Sequence, residues 1–141
     1  LNWFKDNPKA EKSSGEQLAL FGDSQNLPER RRVDGITVRN KFEDAIKDKG
    51  GTDKTYARST EALTREVMGC GTRELYEQTE AKKGDRSTLP EVAQEALMTG
   101  EIVATHDLNE REVSGTTREK NEQIVESVKD SGRKTRRLFP W

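Results

Sequence analysis

Thr88-Leu89-Pro90-Glu91-Val92-Ala93-Gln94-Glu95-Ala96-Leu97-Met98-Thr99-Gly100 is the stretch on which the fold of this chain turns. It opens with a hydroxyl, then a proline suited to a first helical turn, then a glutamate three residues after the threonine, which is the arrangement of a capping box. The apolar residues that follow, Val92, Ala93, Ala96, Leu97, Val103 and Ala104, keep a helical rather than an alternating period. The spacing predicts a long helix opening at Thr88, with Gly100 as a weak point or a place where a neighbour packs closely.

Similar signals lie on both sides. Downstream, Thr116 and Glu119 repeat the capping pattern before Ile124, Val125 and Val128, and Ser131-Gly132 reads as the end of that helix. Upstream, Lys82-Lys83-Gly84-Asp85-Arg86 is a polar loop, and Thr72 caps a short helix carrying Leu75 and Tyr76. Tyr56, Thr60, Leu63 and Val67 mark a helix from about Thr52 to Gly69. Val38, Phe42, Ala45 and Ile46 mark another from Ile36 to the Gly50-Gly51 stop. The expectation is an all-α fold, a small bundle of about five helices over residues 36–132. An N-terminal interaction tail (1–35) and a basic C-terminal tail (133–141) flank it.

Composition bounds the function. Charged residues make up 36% of the 141 and hydrophobic ones 30%, so apolar groups suffice for one small core and the ends are expected to stay solvated. Twenty-five basic against twenty-six acidic residues give a net charge of −1, and no global positive field draws the chain to DNA or anionic lipid. Any such contact is local. The candidates are Arg30, Arg31 and Arg32, followed by Arg39 and Lys41, and at the other end Arg133, Lys134, Arg136 and Arg137; the plain alternative for both is a solvated charge run.

Covalent and metal chemistry have little to work with. His106 is the only histidine and, beside Asp107 near the end of the long helix, reads as a helix-end contact. Cys70 is the only cysteine, and its two flanking glycines read as a tight turn. No phosphate-binding loop is present, because Gly69-Cys70-Gly71-Thr72 lacks the lysine and the spacing. The expectation is a non-enzyme with no cofactor and no metal site. One cysteine permits no internal disulfide, no run reaches the ~18 apolar residues of a membrane span, and the start lacks a signal-peptide pattern. A cytoplasmic protein without a membrane partner follows as the expectation. The first residue, Leu1, is not Met, which reads as a processed or trimmed product.

The polar N-terminal tail holds one apolar island, Gln17-Leu18-Ala19-Leu20-Phe21. It resembles the pentapeptide with which bacterial proteins bind the sliding clamp, and the match covers all five positions. The resemblance implies that Gln17 hydrogen-bonds at one subsite while Leu18, Leu20 and Phe21 supply the apolar contact. The competing reading is an arm that packs back onto the protein's own helices. A second resemblance covers residues 56–140. Its carriers are the turn near Gly69, the Lys82-Lys83-Gly84 loop, a long helix with Glu101-Ile102-Val103-Ala104-Thr105, and a final helix ending at a glycine before a proline. This order is similar to the C-terminal helical region of the DNA-damage-inducible protein D family, which is related to phage antirepressors. It implies a protein acting on recombination or repair machinery, and it lends no functional residues. The family's N-terminal domain has no counterpart here.

Three functions are consistent with these features. The first is an accessory protein of bacterial or phage DNA metabolism and damage response, with a protein partner such as the sliding clamp on Gln17–Phe21 and DNA at the arginine clusters. The second is a DNA-binding regulator using the helices on either side of Gly69 as a helix-turn-helix, with Arg65, Arg73, Lys82, Lys83 and Arg86 for phosphates, although Glu74, Glu77 and Glu80 would repel a groove. The third is an assembly subunit, a homo-oligomer included, whose bulky apolar end residues Trp3, Phe4, Leu138, Phe139 and Trp141 anchor neighbouring chains.

Overall fold

The computed structural model describes residues 3–6 and 27–141. The Gln17–Phe21 peptide therefore lies outside the described residues, and so do the side chains of Arg30, Arg31 and Arg32, whose backbone is helical. The described part is all-α. A single turn, α1 (Trp3–Asp6), is followed by α2 (Leu27–Asp48), α3 (Asp53–Met68), α4 (Thr72–Gln78), a 3-10 turn at Arg86–Thr88, α5 (Glu91–Glu110) and α6 (Thr117–Arg136). Among the described residues no helix is long and apolar enough to cross a membrane.

Local chemistry explains most of the boundaries. Gly50 ends α2 with φ +95°, and Gly51 cannot be larger because a Cβ there would sit 2.5 Å from Ile46 Cγ2. Thr52 and Thr55 exchange side-chain and backbone hydrogen bonds at the start of α3, and Gly69 closes that helix with φ +78°. At α6 half of the expected capping box forms: Glu119 N–H donates to Thr116 Oγ1 (3.2 Å), while the Glu119 carboxylate accepts from the Thr116 hydroxyl (3.1 Å) and not from its backbone N–H.

Three boundaries differ from the sequence reading. The long helix α5 opens at Glu91 on Pro90, without a side-chain cap. Thr88 belongs to the preceding loop, where its hydroxyl accepts from Lys82 N–H (2.8 Å) and donates to Asp85 O (2.6 Å). Proline explains the shift: it disfavours the helical conformation at the residue before it, so Leu89 is extended and the helix begins after Pro90. Helix α2 starts at Leu27, nine residues before the apolar period begins at Ile36. Pro28 fits its first turn, and Glu29 to Arg32 are good helix formers that extend a helix already anchored by Phe42 and Ile46. Helix α6 runs through Ser131-Gly132 to Arg136, so Arg133, Lys134 and Arg136 of the stretch expected as a tail are helical.

The core explains that last difference. Phe42 and Ile46 of α2, Leu63, Val67 and Met68 of α3, Leu75 of α4, Leu97 and Leu108 of α5, and Ile124 and Val128 of α6 form one buried cluster. Around it α3 lies along α6, α5 packs on α6 and on α3, and α2 packs on α5. Thr55 Oγ1 donates to Asn121 Oδ1 (2.8 Å), Arg58 pairs with Glu122 (3.2 Å) and Arg133 with Glu66 (3.5 Å). These pairs advance together along both helices, so α3 and α6 run in the same direction.

The α3–α6 contact is made by small residues. Ser59 and Ala62 are buried on α3, and Ser127, Ser131, Gly132 and Thr135 on α6. A Cβ on Gly132 would lie 2.7 Å from Glu66 Cβ and 3.5 Å from Leu63 O. Glycine is thus kept inside the helix by close approach, and the propensity penalty of about 1 kcal/mol is accepted there. Gly100 of α5 has the same use, with Val67 Cγ2 and Leu63 Cδ1 at 3.2 and 3.3 Å from its absent Cβ.

Two helical glycines should therefore respond with opposite signs to a larger side chain. Gly132→Val should destabilise the protein by about 1–3 kcal/mol through overpacking. Gly35→Ala, where a Cβ meets nothing within 4 Å, should stabilise it by about 0.5–1 kcal/mol. Urea midpoints at constant m-value measure both, and stabilisation by Gly132→Val would contradict the close approach.

Candidate functional site

The end of α6 meets the end of α3, and both helices place side chains there. Trp141 Nε1 donates to Val67 O (2.7 Å), satisfying one of the carbonyls that a helix C-terminus leaves without an intrahelical partner. The Arg136 guanidinium lies over Gly69, the left-handed residue that closes α3, with Nη2 3.1 Å from the position of its absent Cβ. A cation fits there because the partial negative charge of a helix gathers at its C-terminus. Leu138 N–H bonds to Thr135 O and Phe139 N–H to Arg136 O, winding the chain back over the helix end.

The result is a cleft of about 420 Å³ lined by Glu66, Arg133, Arg136, Arg137, Phe139 and Trp141. Phe139 and Trp141 stack with ring centroids 5.2 Å apart and planes 19° apart. Trp141 also meets Trp3 edge-on at 5.1 Å and Phe4 at 5.5 Å, so α1 docks on the far end of the chain. Four of the five end aromatics and leucines proposed as anchors for neighbouring chains therefore pack within one chain, while Leu138 stays 69% exposed.

The four basic residues identified at this end are treated differently by the fold. Arg133 pairs with Glu66 (3.5 Å) and Asp130 (2.6 Å). Lys134 points to the other side, where its Nζ meets Asp107 Oδ2 at 2.8 Å and Ser131 Oγ donates to the same oxygen. Burial would raise the Asp107 carboxyl, but these two hydrogen bonds together with the charges of Lys134 and His106 hold the group below the usual aspartate range. Arg136 and Arg137 have no carboxylate partner among the described residues. Three arginines thus converge on one carboxylate, Glu66, beside an aromatic stack. Arg39, noted in the sequence with the N-terminal arginines, lies on α2 with Nε donating to Gly35 O (3.4 Å).

The glycine turn has another character. Glu61 of α3 receives Thr72 N–H (3.2 Å) and the Thr72 hydroxyl (2.6 Å), so an acid from α3, not Thr72 itself, caps α4. Arg65 pairs with Glu61 (3.3 Å), Arg73 with Glu77 (3.2 Å) and Arg86 with Glu101 (2.7 Å). Every arginine considered for phosphate contact by a helix-turn-helix is therefore neutralised, and α4 exposes Glu74 and Glu77. Cys70 is buried in this turn, and burial pushes its thiol above the ordinary range. His106 is exposed on α5. Among the described residues no group of three or more histidines, cysteines and carboxylates could hold a metal ion.

The Arg86–Glu101 pair escaped the sequence reading. Glu101 is fully buried, four residues after Leu97 and three before Ala104, in the apolar register of α5; a charged residue at a core position is the signal that could have found it. Its burial raises the carboxyl above the ordinary glutamate range, opposed by the charge and hydrogen bond of Arg86 and by the charge of Arg39. With no exposed atom, Glu101 can reach no substrate, and its role is to tie the loop before α5 to the core.

No family model, no curated protein and no solved structure matches the chain.

Removing one partner of a buried pair leaves a desolvated charge. Arg86→Met should cost about 3 kcal/mol at pH 7. Because the folded state holds the Glu101 proton more tightly than the unfolded state, this group's contribution to stability falls as pH rises from the ordinary glutamate range through the raised value. Acidification to about pH 5 should therefore narrow the deficit of Arg86→Met, and Arg86→Met/Glu101→Gln should recover most of it at pH 7. Thermal denaturation of the variants at both pH values provides the comparison; a pH-independent deficit would exclude Glu101 as its cause.

Proposed function

We propose that this chain is a non-catalytic accessory protein of bacterial or phage DNA metabolism and damage response. It acts in the cytoplasm by docking Gln17, Leu18, Leu20 and Phe21 on a sliding clamp or a protein with a similar pocket. The observation that carries the reading is the match of Gln17-Leu18-Ala19-Leu20-Phe21 at all five positions. The order of elements from Tyr56 to Pro140, similar to the damage-inducible protein D family, supports the same setting.

The arrangement of the helices supports a binding role for the DNA-facing part as well. Arg136 and Arg137 lie at the end of a packed helix, whereas the arginines around the Gly69 turn are occupied by glutamates. The second reading, a regulator that places α4 in a duplex groove, requires those ion pairs to open. For that reason nucleic-acid contact is assigned to the end of α6 through Arg136 and Arg137, with Arg133 and Lys134 of the same cluster held by Glu66, Asp130 and Asp107, and to Arg30, Arg31 and Arg32 on α2.

Immobilised sliding clamp should retain the native chain and lose Leu20→Ala/Phe21→Ala, because the apolar end of such a peptide supplies most of its contact. Capture of both versions alike, or of neither, would overturn the clamp assignment.

A further inference from the structure

We propose that the cleft at the end of α6 is a binding site for single-stranded nucleic acid, in which Arg136 and Arg137 hold a backbone phosphate and a base extends the Trp141–Phe139 stack. The inference rests on the reading above that the chain works on DNA, but it draws on different residues and a different geometry.

Three observations carry it. The first is charge: Arg133, Arg136 and Arg137 face one carboxylate, Glu66, and that acid is shared with Arg133 at 3.5 Å. An anion entering the cleft meets two guanidiniums with no carboxylate partner among the described residues. The second is preorganisation. Arg136 is laid over Gly69 at the end of α3, so the position of its guanidinium is set by packed helices, while Arg137 has its backbone fixed at the end of α6 and its side chain exposed beside it. A guanidinium fixed in this way loses less side-chain freedom on gripping a phosphate than one on a free tail.

The third observation is the aromatic floor. One face of Phe139 is covered by Trp141, and Trp141 is backed by Trp3 and Phe4. The stack is thus closed at the Trp141 end, and Phe139, half-buried against the core and lining the cleft, is the ring it offers to a base. Arginines for phosphate beside an aromatic ring for a base are the two components of single-strand recognition. A cleft of about 420 Å³ is of the size that holds one nucleotide unit, and bases within a duplex are already stacked and cannot reach its floor. An acidic peptide would use the arginines but gain little from a ring face.

Titration of the full chain with a fluorescein-labelled oligo(dT) of twenty nucleotides, read by anisotropy and by quenching of tryptophan emission, tests the site. Arg136→Ala/Arg137→Ala should weaken binding and lower the slope of log affinity against log salt by about 0.7, the share of one phosphate contact on a single strand. Arg136→Lys/Arg137→Lys should keep most of that slope. Phe139→Ala should weaken binding roughly fivefold to a hundredfold and leave the slope unchanged. Unlabelled duplex of the same length should compete poorly. The proposal is overturned if Phe139→Ala binds like the native chain, if polyglutamate displaces the oligonucleotide as well as unlabelled oligo(dT) does, or if no variant differs. Leu20→Ala/Phe21→Ala should bind the oligonucleotide normally, and Arg136→Ala/Arg137→Ala should still be retained by the clamp, so that failure of either assignment leaves the other standing. Far-UV circular dichroism matching the native chain qualifies each variant for the comparison.

Discussion

Helices α3 and α6 approach each other so closely that Gly132 has no room for a Cβ, and this contact positions much of the molecule. Close approach needs small residues on both surfaces, which Ser59, Ala62, Ser127, Ser131 and Thr135 supply. Small polar residues in a helix interface bring hydroxyls that must be satisfied. On α6 the solution is mostly local: Thr135 Oγ1 donates to Ser131 O at 2.9 Å, and the one Ser131 hydroxyl proton is shared between Ser127 O at 2.9 Å and Asp107 Oδ2 of α5 at 2.7 Å. On α3 the buried Ser59 Oγ has no hydrogen-bond partner among the described residues, and backbone and side-chain contact replaces the large apolar groups that the composition lacks.

From this contact follows the character of the C-terminal end. A basic segment that ended a chain in solvent would offer charge without geometry. Held against α3, α6 carries Arg133 to Glu66 and Arg136 to Gly69, and the residues beyond it fold back so that Trp141 reaches Val67 O. Interactions that stabilise the end of α3 thus also shape the cleft. The charge and hydrogen-bonding needs of one helix terminus account for two of the six residues that line it.

The features legible in the sequence share one property: apolar spacing or turn chemistry reported them. Phe42, Leu63, Val67, Leu97, Ile124 and Val128 were placed inside by helical period, Gly50 and Gly69 by their left-handed roles, and Thr116 by its capping partner. The features missed are those in which tertiary contact overrides a local rule. Ser131-Gly132 has the pattern of a helix stop, and only the proximity of Glu66 and Leu63 makes glycine the residue that lets the helix continue. Thr88 has the pattern of a cap, yet Pro90 forces the residue before it out of the helix. Glu101 is invisible to a reading that treats charge as surface, because its partner Arg86 lies fifteen residues away across a loop. For the candidate site, the arginines were legible as a cluster, but their sorting into paired Arg133 and Lys134 and unpartnered Arg136 and Arg137 depends on acids contributed by α3, α5 and α6.

Covalent geometry limits how the two proposed contacts can be arranged. Trp3 and Phe4 contact Trp141, α2 begins at Leu27, and the sequence between them carries Gln17–Phe21. A chain spans at most about 3.5 Å per residue, which keeps Phe21 within about 20 Å of the start of α2. A partner docked on the peptide must therefore lie near the first turns of α2, where Arg30, Arg31 and Arg32 follow Glu29 in sequence. An acidic or DNA-encircling partner would gain from such neighbours and a basic one would be repelled, because exposed charges act on one another over about 10 Å at 0.1 M salt.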